Sequence, residues 1–158
     1  MSVKSRFVQA CFGFITLLLV AGIATVFYFS WLPDPVLGKS DLLPDWLARW
    51  TDAPENDTLQ TAVPFACSGL IIGSYLSVAF RDWRWWLSSW AGLTLIVFIA
   101  EAGQLILPHR NFDWADIAWG TTGSLAGLLL TGLGFAIVKV TVKTLCYTNK
   151  KLLRKNRL

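Results

Sequence analysis

Between residues 101 and 121 this chain places Glu101, Gln104, Arg110, Asp113, Asp116 and Thr121, six groups able to exchange hydrogen bonds or protons, in a stretch that apart from His109 and Asn111 is otherwise apolar and aromatic. Glu101 and Gln104 are three residues apart and so share one face of a helix. Arg110 is the nearest cation to Glu101 in sequence, and a guanidinium can grip a carboxylate through two hydrogen bonds. Asp116 immediately precedes a long apolar run, where a carboxylate can cap free N–H groups and complement a helix dipole. Two uses fit this pattern. In one, Glu101 and Arg110 pin a short loop and Asp116 is a helix cap. In the other, Glu101, Gln104, Arg110, Asp113 and Asp116 line a pocket for a polar head group, with Arg110 toward phosphate or carboxylate and Glu101 accepting from an amide or hydroxyl.

Catalysis has less behind it. The chain has a single histidine, His109, and no Ser–His or Cys–His pair can be built beside these carboxylates. Two carboxylates can serve as acid and base, but the spacing does not favour that over capping. His109, Asp113 and Asp116 make a weak metal set, since one histidine with carboxylates has no diagnostic geometry. No metal and no cofactor is expected. The cysteines, at 11, 67 and 146, have no CxxC spacing, and no structural disulfide is expected.

The elements that must position these groups follow from composition. The chain has 158 residues, 54% hydrophobic and 15% charged, with a mean hydropathy of +0.52; soluble domains carry about 25% charged residues. One domain fits this length. A helix crossing ~30 Å of hydrocarbon takes about 20 apolar residues. Four stretches meet that length: 7–31, 58–80, 85–107 and 117–138, of which only the third carries a charge, Glu101. The runs are continuous rather than alternating, which excludes barrel strands. The first run exceeds the 7–15 apolar residues of a signal peptide and no A-x-A site follows it, so it reads as a retained helix. The expected fold is therefore an all-α membrane protein, a bundle of four transmembrane helices, with an outer loop at 32–57 and a basic tail at 139–158. Glu101 would lie six residues, about 9 Å, below the end of the third helix, at a depth where an ionisable group turns to a partner or a wet cavity.

Charge sets the orientation. Lys4, Arg6, Arg81, Arg84, Lys139, Lys143, Lys150, Lys151, Arg154, Lys155 and Arg157 fall on one side with Asp82 as the one acid. Lys39, Arg49 and Arg110 fall on the other, beside Asp34, Asp41, Asp45, Asp52, Glu55, Asp57, Asp113 and Asp116. Positive residues stay cytoplasmic, so both termini are expected inside and loops 32–57 and 108–116 outside. The nine tryptophans form two boundary belts on the same scheme. The net charge of +4 is then a topology signal. Anionic lipid is the partner expected for the tail and nucleic acid is not. Small residues at four-residue spacing, Gly69, Gly73 and Ser77 on the second helix and Gly123 and Gly127 on the fourth, mark close helix contacts, internal or, alternatively, between copies in a homo-oligomer. Pro64 could kink the second helix.

The run Glu101-Ala-Gly-Gln104-Leu-Ile-Leu-Pro108-His-Arg110-Asn-Phe-Asp113-Trp-Ala-Asp116, continued by Thr121, Gly123 and Gly127, resembles the pattern of VanZ-like bacterial membrane proteins: E-x-x-Q, P-x-R-x-x-D-x-x-D, then N-T-x-G-x-x-x-G. The chain departs from that pattern where Gly120 stands for the family's Asn. It also departs in Asp57-Thr58-Leu59-Gln60-Thr61-Ala62, where the family reads D-K-x-x-H-F, so that Thr58 and Thr61 replace its Lys and His. The resemblance implies a protein of the bacterial inner membrane whose named relative is linked to teicoplanin resistance, and it implies no defined reaction. The expected function is accessory: an outward-facing polar site for an envelope lipid, a lipid-linked glycan or a glycopeptide-type amphiphile. The alternatives are an enzyme on such a substrate at the outer leaflet with Asp113 or Asp116 as base, and, ranked last, a proton-linked transporter using Glu101.

Overall fold

The computed structural model describes residues 3–32, 36, 44–108 and 110–155, the side chains of 3–12 and 149–155 excepted. The described residues form five helices: α1 (Val3–Ser30), α2 (Asp45–Thr51), α3 (Asp57–Val78), α4 (Trp83–Gln104) and α5 (Trp114–Lys155). Among them there is no strand. Four of the helices, α1, α3, α4 and α5, are long and apolar enough to cross a membrane, the build of a multi-pass membrane protein.

The largest contact is α3 on α5, followed by α4 on α5. Missing side chains make the first contact possible. A Cβ on Gly123 would strike the Ala62 carbonyl, one on Gly127 the Ala66 carbonyl, one on Gly69 the Ser124 carbonyl and one on Gly73 the Thr131 hydroxyl. Backbone therefore meets backbone along two turns of each helix, where dispersion and weak contacts replace the hydrophobic effect that lipid cannot supply. Glycines 69, 73, 123 and 127 are thus buried inside one chain. Phe65, Leu93 and Val97 form the core beside this crossing, with Val26, Ile72, Ile96 and Ile117 packed against it.

Helix α1 lies on the outside. Ile15, Leu19, Ile23, Val26 and Ser30 are half-buried at three- and four-residue spacing, and the rest of its described surface up to Thr25 is exposed. Helix α3 runs unbroken through Pro64. It ends where Arg81 N–H donates to the Leu76 carbonyl (3.0 Å) and Phe80 N–H to the Ser77 carbonyl (3.3 Å), the paired bonds of a Schellman stop. The left-handed residue of that stop is Phe80, with φ of 50°, where glycine is usual. Its ring packs edge-on to Phe135 of α5 with centroids 6.4 Å apart, and Lys139 Nζ lies 5.6 Å from its centre.

Two details refine the expected layout. The outer loop is not bare, since α2 and a 3₁₀ turn at Pro54–Asn56 lie within it. Asn56 Nδ2 donates to the Trp50 carbonyl (2.9 Å) and Gln60 Nε2 to that of Thr51, which ties α2 to the start of α3. Nor is 139–158 a separate tail. Helix α5 continues to Lys155, 42 residues or about 63 Å at 1.5 Å per residue, twice the hydrocarbon thickness.

Candidate functional site

Helix α4 ends at Gln104, so Glu101 lies in its last turn, about 4.5 Å from the end rather than 9 Å. Both Glu101 and Gln104 are buried, at 4% and 7% exposure. Both oxygens of the Glu101 carboxylate accept a hydrogen bond. Its Oε1 accepts the Asp113 backbone N–H at 2.7 Å and its Oε2 accepts Gln104 Nε2 at 2.9 Å. Gln104 Nε2 also donates to Ser30 Oγ at 3.1 Å. The Ala100 carbonyl accepts both Ser30 Oγ (3.2 Å) and Trp31 Nε1 (3.0 Å), and the Trp31 ring lies against Gly103, where a Cβ would fall within 2.8 Å of Cζ2. The Glu101 carboxylate therefore joins the end of α4 to the start of α5, and Gln104 carries the link on to the end of α1.

Arg110 does not pair with Glu101. Its Nε donates to the Leu32 carbonyl (3.3 Å) and its Nη2 to the Phe29 carbonyl (3.4 Å). These carbonyls stand at the C-terminal end of α1, where the helix dipole and unsatisfied acceptors favour a cation. The guanidinium holds α1 against the α4–α5 loop and acts on Glu101 only through space.

The cap of α5 is Asp113, not Asp116. Ala115 N–H donates to Asp113 Oδ1 at 2.7 Å, which is the bond from the second helical residue to the residue before the helix. An acid at the third helical position can turn back to the N–H of the capping residue and close a capping box. Asp116 occupies that position, but the Asp113 N–H has already gone to Glu101. Asp116 is left half-buried, with the Thr61 hydroxyl of α3 in hydrogen-bonding reach and Asp57, Asp113 and Arg110 as the charges nearest it. Phe112 covers the loop, its ring 6.1 Å from Phe98 and 4.9 Å from Trp114.

Thr121 is drawn elsewhere. Its carbonyl accepts Trp90 Nε1 (3.2 Å) and Ser124 Oγ (2.8 Å), and its hydroxyl is buried without a hydrogen-bond partner. Trp90 and Trp31 are thus donors between helices as well as boundary residues. His109, the imidazole of the weak metal set, lies outside the described residues. Among sequence-predicted residues the structure brings together Glu101, Gln104 and Asp113, and near them Arg110 and Asp116. Two more, Thr61 and Ser30, were missed. Each is a small hydroxyl on another helix; Ser30 carries no signal in the local sequence, whereas Thr61 stands where the family pattern has histidine.

Residues 14–135 match the VanZ/LLP1 family. Neither a curated protein nor a solved structure matches the chain at a significant level.

Proposed function

The chain belongs to the VanZ/LLP1 family, and from that membership and the site geometry we propose that it is an accessory binding protein of the bacterial inner membrane. Its site takes the polar head of an envelope amphiphile (a lipid, a lipid-linked glycan or a glycopeptide-type molecule) and contributes to glycopeptide tolerance of the teicoplanin type. The acidic end faces outward and both termini are cytoplasmic, which the distribution of eleven cations at the opposite end supports.

The observation that carries the reading is the gathering of carboxylates around Asp116, with Asp57 and Asp113 close by. An ionised carboxylate has about four lone-pair positions. Asp116 stands at the rim of a membrane helix bundle, half-buried, with the Thr61 hydroxyl as the donor recorded beside it. Like charges gathered at a bundle rim are relieved by a ligand that brings hydrogen-bond donors or positive charge. The charge around it chooses the chemistry. Asp57 and Asp113 are near, and the guanidinium of Arg110 is held by two carbonyls. A head group of hydroxyls or an ammonium fits beside Asp116, and three of the five guanidinium donors of Arg110 remain beyond the two given to carbonyls.

The same bonds weaken the enzyme reading. Asp113 caps α5 and both Glu101 oxygens are engaged inside the bundle, which leaves Asp116 as the candidate base. Native mass spectrometry of the purified protein tests the proposal. An amphiphile retained by the wild type and lost from Asp116→Asn is expected. Bulk phospholipid alone, or equal retention by both, overturns it. Teicoplanin susceptibility that does not change on deleting the gene removes the tolerance role.

A further inference from the structure

Thr61 stands on α3 opposite two positions of α5 that share one face, Asp116 and, one turn on, Gly120. Its two branches are sorted between them. The methyl lies 3.2 Å from where a Gly120 Cβ would be, and the hydroxyl is in reach of the Asp116 carboxylate. Threonine is stiff about χ1, so fixing the methyl fixes the hydroxyl. The seat for the methyl exists because Gly120 has no side chain. Any Cβ there would lie 2.8 Å from Val97 Cγ2 and 2.9 Å from Cγ1, and Val97, at 2% exposure, has nowhere to retreat.

We propose that Thr61 is a positioning residue for Asp116, its hydroxyl aimed by the notch that Gly120 and Val97 form. This rests on the reading of Asp116 as the ligand-facing group. The device spans three helices: α3 supplies the hydroxyl, α5 the carboxylate and the notch, α4 the wall. It holds the carboxylate in one orientation before a ligand arrives, which lowers the ordering cost of binding.

The test uses the full chain in phosphatidylcholine nanodiscs. Dicyclohexylcarbodiimide modification of Asp116 is followed by mass spectrometry, alone and with dodecylammonium or dodecyl phosphate as competitor. Thr61→Val keeps the shape and removes the hydroxyl; Thr61→Ser keeps the hydroxyl and removes the methyl seat. Thr61→Val is expected to raise the modification rate at least threefold, because the hydroxyl no longer engages the carboxyl group, and to weaken dodecylammonium protection about tenfold. Its thermal stability should stay within a degree or two of wild type. Thr61→Ser, its hydroxyl kept but no longer aimed by a seated methyl, is expected to fall between wild type and Thr61→Val on both measures, and a Thr61→Ser protein equal to wild type overturns the role of the notch. Gly120→Ala should reproduce Thr61→Val, and adding Val97→Ala to it should restore the wild-type rate. A Thr61→Val rate equal to wild type overturns the proposal, as does equal behaviour of the Val and Ser variants. The binding reading fails separately: it falls if dodecylammonium does not protect wild-type Asp116, or if dodecyl phosphate protects it as well, whatever the rate in Thr61→Val.

Discussion

Replacing Glu101 should loosen the junction between the end of α4 and the start of α5, and the size of the effect can be worked from its bonds. The carboxylate accepts a backbone N–H from Asp113 at 2.7 Å and an amide N–H from Gln104 at 2.9 Å, at 4% exposure. Hydrogen bonds to a charged group contribute about 1.5–3 kcal/mol each in proteins, whereas inter-helix polar contacts measured in one membrane protein average about 0.6 kcal/mol. The larger figure applies if the two donors, once abandoned, stay buried without water. Glu101→Leu removes both acceptors and should cost about 2–4 kcal/mol. Glu101→Gln keeps the shape and one acceptor, and Gln104 can turn its amide to accept from the new one, so about 1 kcal/mol is expected. Gln104→Leu should be partly absorbed by Glu101→Leu, with a coupling of about 1–2 kcal/mol in the double variant. Equilibrium unfolding in mixed micelles, read by tryptophan fluorescence, measures all four chains. A Glu101→Leu protein within about 0.5 kcal/mol of wild type, or no less stable than Glu101→Gln, would refute the picture of a buried carboxylate with both oxygens engaged, since surface changes have effects of that size.

Gly123→Ala puts a Cβ against the Ala62 carbonyl and should destabilise by about 1–3 kcal/mol, while Gly92→Ala, with nothing within 4 Å of its Cβ, should be neutral in the same unfolding assay. Phe80 holds φ of 50°, so Phe80→Gly should exceed Phe80→Ala in stability by about 1 kcal/mol, both having lost the ring and only alanine keeping the left-handed penalty. For orientation, a cysteine at the exposed Asn111, with Cys11, Cys67 and Cys146 replaced by serine, should react with an impermeant maleimide in intact cells; labelling only after lysis reverses the topology.

The long helices were legible because bilayer thickness converts an apolar run directly into an element. What the sequence hid has physical reasons. Helix α2 has seven residues, too few to show a helical period. Beyond Gly134 the chain has no proline or glycine to stop α5, so the lysines mark where hydropathy falls and say nothing about where the helix ends. The cap moved from Asp116 to Asp113 because Glu101 takes the Asp113 N–H, a tertiary bond that local spacing cannot display. Arg110 finds its acceptors at Phe29 and Leu32, about 80 residues earlier, and the nearest carboxylate in sequence was not its partner in space.

Along the chain, Thr61 and Gly120 are two unrelated departures from the family pattern, 59 residues apart. In the fold they touch, and both adjoin Asp116: Thr61 across the helix crossing and Gly120 one turn along α5. They are therefore one change in one place. An asparagine at 120 would collide with Val97, which is buried and cannot turn aside; a histidine at 61 needs room that the close approach of Gly120 removes. The small pair fits the close approach of α3 and α5 here, and Asp116 has a hydroxyl neighbour from the position where the family pattern has histidine. A hydroxyl lends a hydrogen bond at any ordinary pH and takes up no proton of its own, whereas an imidazole titrates near neutrality. The chain keeps the acceptor and gives up the titrating neighbour, which suits a site that holds a head group better than one that moves protons.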